Sequence, residues 1–268
     1  MIEGVGIDAL SSDILRTFGL LGRDGYTNAA AILADRNDFP GIDMVRFGDT
    51  EDIMRDRETV TGVSALEQMD RAFAVYERYY AYEKIEGTQR RRLERIPAEA
   101  FREAMANALV HRTWDVRAHV QVAMYDSRVV ITSPGSLPPG LDTEQYFYGQ
   151  ISVLRNPVLA EVFLKLDYIE RFGTGIARIR RAYQGSLSQP TFDVRGEVVA
   201  VTLPVVDTFE GTEAERRVAM ALRGGRVLSR AALEGETELS RAQTLAALLE
   251  KRLVVKLGDG RSTRYART

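Results

Sequence analysis

Between Pro97 and Arg112 the sequence sets a polar stripe into an otherwise apolar helix, and this constrains the fold more than any other feature. Pro97 suits the first helical turn, and Phe101, Met105, Ala108 and Leu109 then share one face. Glu103, Asn107 and His111 follow one another at i, i+4 and i+8, flanked by Ala100, Ala104, Ala106 and Val110. Polar groups bordered by apolar ones have to meet a ligand, water or each other. The pattern predicts a helix whose stripe forms a cleft wall. An exposed surface on an alanine-rich helix fits the same periodicity equally well.

The flanking segments tell what such a helix could pack on. His119–Tyr125 alternates, Asp126-Ser127 turns, and Arg128–Thr132 pairs back as a hairpin. Ser133–Gly140 is too rich in Pro and Gly for regular structure. A helix is expected from Pro157 to about residue 167, and another over Ile176–Tyr183 behind the turn Glu170-Arg-Phe-Gly-Thr-Gly175. A glycine-rich turn before a helix gathers free N–H groups and a positive dipole end, which suits a phosphate; a plain tight turn is the competing reading. Thr191–Val194 and Val198–Leu203 read as closing strands.

Upstream, Thr27–Leu33 is apolar and Ile42–Phe47 alternates as a strand would. From Ser64 to Glu86, Leu66, Met69, Phe73, Tyr76 and Tyr80 recur at helical steps, predicting an amphipathic packing helix of about 20 residues. The charged run Gln89–Arg95 reads as a solvated connector.

The last 58 residues read as a separate module. Helices are expected over Glu213–Leu222 and from Ser229, and a third is capped by Ser240 with Gln243 completing a capping box. Val254–Leu257 and Ser262–Tyr265 flank Gly258-Asp-Gly260 as a terminal hairpin. Three helices and a hairpin predict a winged helix-turn-helix. Ser240, Arg241, Gln243 and Thr244 would then face the major groove of double-stranded DNA, with Arg261, Thr263 and Arg264 of the wing against the backbone or minor groove. Residues 211–268 hold twelve Lys or Arg against seven Asp or Glu, so this +5 tail sits on a body of −7 within a chain of net −2. That asymmetry fits a nucleic-acid-binding appendage. A homodimer is expected, because helix-turn-helix proteins read paired half-sites.

Composition removes several chemistries. There is no cysteine, so disulfides, thiolate zinc sites and cysteine catalysis are excluded. With only His111 and His119, neither zinc nor haem is expected, while magnesium remains open to carboxylates. No apolar run approaches 18 residues and no signal-type start is visible, which predicts a soluble cytoplasmic chain with no membrane partner. The absence of a Gly-x-x-x-x-Gly-Lys-Ser/Thr loop argues against a helicase motor.

Four motifs, Phe101–Arg112, Ile131–Pro138, Arg155-Asn-Pro157 and Ile169–Ile176, together resemble the ATPase-like domain of bacterial RecG-like transcriptional regulators, relatives of the GHKL group. The resemblance spans residues 97–204, and the Thr27-Asn28-Ala29 segment and the terminal module fit the same layout. Many members begin with a Schlafen-type AlbA domain, which has no counterpart here. The resemblance implies an α+β fold: a GHKL-like sandwich, its mixed sheet covered by helices on one face, followed by a small winged helix-turn-helix. The domains would be an N-terminal α/β segment packing on the core (1–90), the ATPase-like domain (91–208) and the winged helix (209–268).

The resemblance also implies roles. Glu103 would orient the attacking water, and Asn107 would hold magnesium beside ATP. Gly173, Thr174 and Gly175 match the second glycine box, whose amides cradle phosphates. The first box, Asp-x-Gly-x-Gly in the group, is here Ser133-Pro-Gly135-Ser-Leu137. Serine carries no charge for the adenine amino group, and Pro134 and Leu137 restrict the loop. Two readings stay open: a DNA-binding regulator with a nucleotide-sensing or dimerising domain, and an active magnesium-dependent ATPase. The altered first box leans toward the former.

Overall fold

The computed structural model describes residues 11–137, 140, 142–148, 153–169, 175–206, 212–222, 226–237, 242–251, 253–260 and 263–267. The chain divides into two units, Met1–Ala182 with Pro190–Val205, and Tyr183–Gln189 with Val206–Thr268. The first unit opens with α1 (Ser12–Thr17), β1 (Leu21–Gly22), β2 (Gly25–Tyr26) and α2 (Asn28–Leu33). There follow β3 (Ile42–Phe47), β4 (Met54–Val60), α3 (Ala65–Tyr80), β5 (Ala81–Glu86), β6 (Gln89–Glu94) and α4 (Ala98–His111). It continues through β7 (Val120–Met124), β8 (Arg128–Pro134), α5 (Thr143–Tyr148), α6 (Pro157–Lys165), α7 (Gly175–Ala182), β9 (Thr191–Arg195) and β10 (Val198–Pro204).

Six of these strands form one mixed sheet in the order β4-β3-β7-β8-β10-β9. Only β3 and β7 run parallel; every other neighbour is antiparallel. A parallel pair needs a long crossover, and here α3, the β5–β6 hairpin and α4 supply it. Strand alternation gives the sheet one buried face: Val120, Val122 and Met124 of β7 and Val129 and Ile131 of β8 are buried, whereas Gln121 is exposed. Helices α3 and α4 pack on that face. Tyr76 of α3 stacks on Phe101 of α4 with centroids 4.7 Å apart. Their polar ends are satisfied: the Tyr76 hydroxyl donates to Ile96 O at 2.5 Å and the Tyr80 hydroxyl to Tyr125 O at 2.6 Å. The fold is thus an α+β arrangement with a mixed sheet, as the sequence predicts.

Three expectations change. The helix expected to reach Glu86 stops at Tyr80, where the run of apolar residues at helical steps also ends. The following residues pair in register from Ala81↔Glu94 to Glu86↔Gln89, closed by Gly87 at φ +62. The supposed connector Gln89–Arg95 is therefore mostly strand β6. Strand β8 also runs on through Ser133 and Pro134, because Val199 and Val198 of β10 pair with them.

The second unit holds α8 (Glu213–Ala221), β11 (Leu228–Ser229), α9 (Arg230–Thr237), α10 (Ala242–Glu250), β12 (Val254–Leu257) and β13 (Arg264–Arg267). Its three strands lie in the order β11-β13-β12, all antiparallel. Helix α8 starts in a capping box: the Thr212 hydroxyl accepts from Glu215 N at 3.2 Å, and the Glu215 carboxylate accepts from Thr212 N at 2.7 Å. The Lys251 ammonium, 2.7 Å from Glu215 Oε1, ties the far end of α10 to the same cap. Val218, Leu222, Leu233, Leu245, Leu248, Val254 and Tyr265 form the core. Among the described residues, no helix is long and apolar enough to cross a membrane.

Candidate ligand site along helix α4

Helix α4 carries Glu103 and Asn107 one turn apart, and the structure brings them into contact: Asn107 Nδ2 donates to Glu103 Oε1 at 3.3 Å. Their company comes from the first turn of α7. Arg178 Nη1 lies 3.9 Å from Glu103 Oε2, and Arg178 Nε lies 3.9 Å from Glu99 Oε1. Glu103 is 4% exposed and Arg178 7%, so each charge is buried against the other. A buried carboxylate without a partner costs several kcal/mol, which explains why a cation accompanies it. Gly175 permits the approach. A Cβ there would collide with Glu103 Oε1 and stand 2.7 Å from Asn107 Nδ2.

Beyond Asn107 the stripe opens onto a pocket lined by Ala104, Asn107, Ala108, His111, Ile131, Ser133, Gly135 and neighbours from the following loop and β10. It holds about 40 Å³ of free space, a few waters at roughly 10–15 Å³ each. Ser133 stands at its floor, and its hydroxyl donates to Ala108 O at 2.9 Å. That proton is thereby committed to the backbone of α4, leaving only acceptor capacity toward the pocket. Gly135 turns the chain away at φ +117. An added Cβ would collide with the Thr113 hydroxyl and lie 3.0 Å from Thr113 N. The retained glycine of the first box thus serves the crossing of the β8 loop over the end of α4.

The C-terminal end of α4 is held by polar groups. Asn156 Nδ2 donates to Val110 O at 2.7 Å and to Arg112 O at 3.0 Å, satisfying carbonyls that a helix end leaves orphaned. Arg155 Nη2 donates to Ser136 O at 2.6 Å, fixing the loop after β8. The fully buried Arg112 donates to Pro40 O at 3.0 Å, to Gly41 O and to Ala118 O, and its guanidinium lies 4.4 Å from the centroid of the Trp114 ring. Burial draws the Arg112 pKa down to about 10. Burial, with the charge of Arg155 second, lowers the His111 pKa to about 4, so this imidazole is neutral at pH 7.

The structure therefore assembles Glu103, Asn107, Ser133, Gly135 and Gly175 along one side of α4. Gly173 and Thr174 lie outside the described residues. So do Ser240, Arg241 and Arg261, and the side chains of Gln243 and Thr244 on α10. Thr263 donates its hydroxyl to Gly260 O at 2.9 Å, closing the β12–β13 turn. Arg264 is exposed on β13 between Ser229 and Leu257. Sequence reasoning missed Arg178, whose signal is its place between Ile176 and Ile179 on the buried side of α7. It also left Arg155 and Asn156 without roles, although a polar pair just before a helix-starting proline is a place where caps occur. Among the described residues, no cluster of three or more His, Asp or Glu side chains is arranged to hold a metal ion.

Residues 117–203, about a third of the chain, match the family model described as "Putative ATP-dependent DNA helicase recG C-terminal". The match covers β7 through β10 and begins after α4, so Glu103 and Asn107 lie upstream of it. Comparison with curated proteins gives no match. Among solved structures, the DIP2311 protein from Corynebacterium diphtheriae is similar at a TM-score of 0.66 and 22% identity, over 97% of this chain. This chain spans only 58% of that protein's chain, and the likeness is one of fold. Residues 117–203 are thus similar to a RecG-like, ATPase-like domain, the kind that the sequence motifs resemble.

Proposed function

We propose that the chain is a cytoplasmic, DNA-binding transcriptional regulator, with its ATPase-like unit acting as a ligand sensor or dimerisation platform. The observation that carries the second half is the state of Glu103. A general base must reach water, yet this carboxylate is 4% exposed, lies against Arg178 and abuts Gly175. Hydrolysis would first require Arg178 and α7 to withdraw. The DNA-binding half is supported by the second unit, where three helices and a β11-β13-β12 sheet share one core. That arrangement fits a winged helix-turn-helix whose third helix, α10, enters the major groove, with exposed Arg264 on the wing. The +5 charge of residues 211–268 favours phosphate as partner.

Magnesium ATP is the ligand to test in the first unit. Asn107 would hold the metal through its amide oxygen, Ser133 and Gly135 would meet the base, and the Gly173-Thr174-Gly175 turn would receive the phosphates. The bound group would supply the metal's charge and a hydrolysable anhydride. Ser133 would face the base as an acceptor only, because its hydroxyl hydrogen is bonded to Ala108 O. A homodimer reading paired half-sites completes the proposal.

Two titrations of the full chain test it. By fluorescence anisotropy on a duplex, Arg241→Ala with Arg264→Ala should weaken binding about tenfold or more and lower the salt slope by roughly 2. An unchanged slope rules out the wing contact. By calorimetry, magnesium ATP should bind the wild type without phosphate release, and Asn107→Ala should abolish the heat. No heat from the wild type removes the nucleotide; steady phosphate release restores the ATPase reading.

A further inference from the structure

A hollow that shares no lining residue with the α4 pocket lies where the start of α6 meets α2 and the loop after α4. It holds about 370 Å³ of free space, against about 40 Å³ beyond Asn107. Mostly apolar cavities of roughly 300 Å³ and more, with a few placed polar groups, are the size that small organic ligands fill. Ile32, Phe39, Trp114, Val158 and Leu159 give it apolar walls. Phe39 meets the Trp114 ring edge-on, with centroids 5.8 Å apart, and the Arg112 guanidinium lies over the same ring. The indole is thereby held in place.

The apolar lining is broken by donors. Trp114 is 7% exposed, and its enclosed Nε1–H has no hydrogen-bond partner. Arg155, also in the wall, donates from Nη2 to Ser136 O, while its Nε is enclosed without a partner. Helix α6, nine residues long, starts here without a side-chain cap, because the amide of Asn156 is turned to Val110 O and Arg112 O. The first-turn N–H groups of Val158 and Leu159 have no acceptor within the helix, and the helix dipole favours an anion beside them. An acceptor brought by a ligand removes the cost of buried, unpaired donors. Asp115 on the rim is exposed; its carboxylate disfavours a ligand carrying two negative charges.

We propose that this hollow binds a small monocarboxylate with an aromatic or branched apolar body. The carboxylate takes the donors of Arg155 and the start of α6, and the body packs against Ile32, Phe39 and Trp114. The site is separate from the one assigned to nucleotide, and its occupation requires neither ATP nor DNA.

Trp114 is the only tryptophan of the chain, so intrinsic fluorescence of the full chain reads the site directly. Phenylacetate and 4-methylpentanoate are titrated to about 20 mM, beside phenylacetamide and inorganic phosphate. At least one carboxylate should change the emission saturably, with half-saturation near or below about 1 mM. Phenylacetamide should bind at least about tenfold more weakly than phenylacetate, and phosphate should give no response. Arg155→Gln should weaken the carboxylate about tenfold and leave any response to phenylacetamide unchanged, a split that a loosened loop would not produce. Ala29→Phe, which fills the hollow from α2, should abolish saturation by every probe. Either variant carries the test if the other does not fold. No saturable change with either carboxylate overturns the inference, as does a response that survives Ala29→Phe. Equal affinity for phenylacetate and its amide leaves an apolar cavity that recognises no carboxylate, and overturns it too.

Discussion

The middle and the C-terminal end of α4 are both lined with polar side chains, and they use them in opposite ways. At the end, Arg112, Asn156 and Ser133 are spent on backbone carbonyls, and Gly135 lets the chain after β8 pass close against Thr113. These bonds join α4 to the β3 approach, the β8 loop and α6, and they leave little chemistry over. In the middle, Glu103 meets side chains instead, Asn107 at 3.3 Å and Arg178 at 3.9 Å. Loose ion pairs between helices can be exchanged for a ligand; tight bonds to backbone cannot be given up without unfolding the loop. Two stretches of one helix, each polar by sequence, thus divide into scaffold and candidate site.

Three measurements would break or sharpen that division. The largest effect is expected at the scaffold end. Gly135→Ala forces a side chain into positive φ and onto Thr113, and should cost about 3–4 kcal/mol in chemical denaturation. A loss under ~1 kcal/mol would mean that the loop yields and is no scaffold. Next comes Arg178→Gln, which removes the cation beside the buried Glu103. A loss of about 2–3 kcal/mol is expected at pH 7, the low end for breaking a buried pair because the contact is long. Adding Glu103→Gln should restore more than ~1 kcal/mol in a double-mutant cycle; strictly additive losses would show that the two residues do not act as a pair.

The smallest effect is a pH dependence from His111, which sits between the two regions. Its pKa is depressed to about 4, so in the window from about 6.5 down to 4 the unfolded chain takes a proton that the folded chain refuses. Stability should therefore fall by roughly 2 kcal/mol as pH drops through that window, less than the full shift implies because the ring keeps part of its surface in solvent, and level off below it. His111→Gln should flatten the slope. An equal slope in the variant would place the titrating group elsewhere.

Much of this arrangement was legible in the residue order. The period-two runs at β3, β7, β8 and β10 and the three-and-four spacing of Leu66 through Tyr80 survive as elements, because burial of one face is a local demand. The polar stripe of α4 was readable as a cleft wall for the same reason. The β5–β6 hairpin was not, since its residues are charged on both faces and its strands are stabilised by pairing rather than by burial. Arg178 was invisible as Glu103's partner: 75 positions separate them, and charge alone does not name a mate.

The sequence by itself determined strands β3, β7, β8, β9 and β10, helices α3, α4, α6 and α7 of the first unit, and the split of charge between body and tail, all consequences of spacing and side-chain type. Only the tertiary structure decided that Glu103 faces Arg178, that Ser133 serves Ala108, and that the arginine-rich run became one strand of a separate two-stranded ribbon. Those outcomes depend on which distant groups share a low-dielectric space. Neighbours along the chain cannot specify that, because the energy of a buried charge or hydrogen bond is set by whatever the fold brings within a few ångströms.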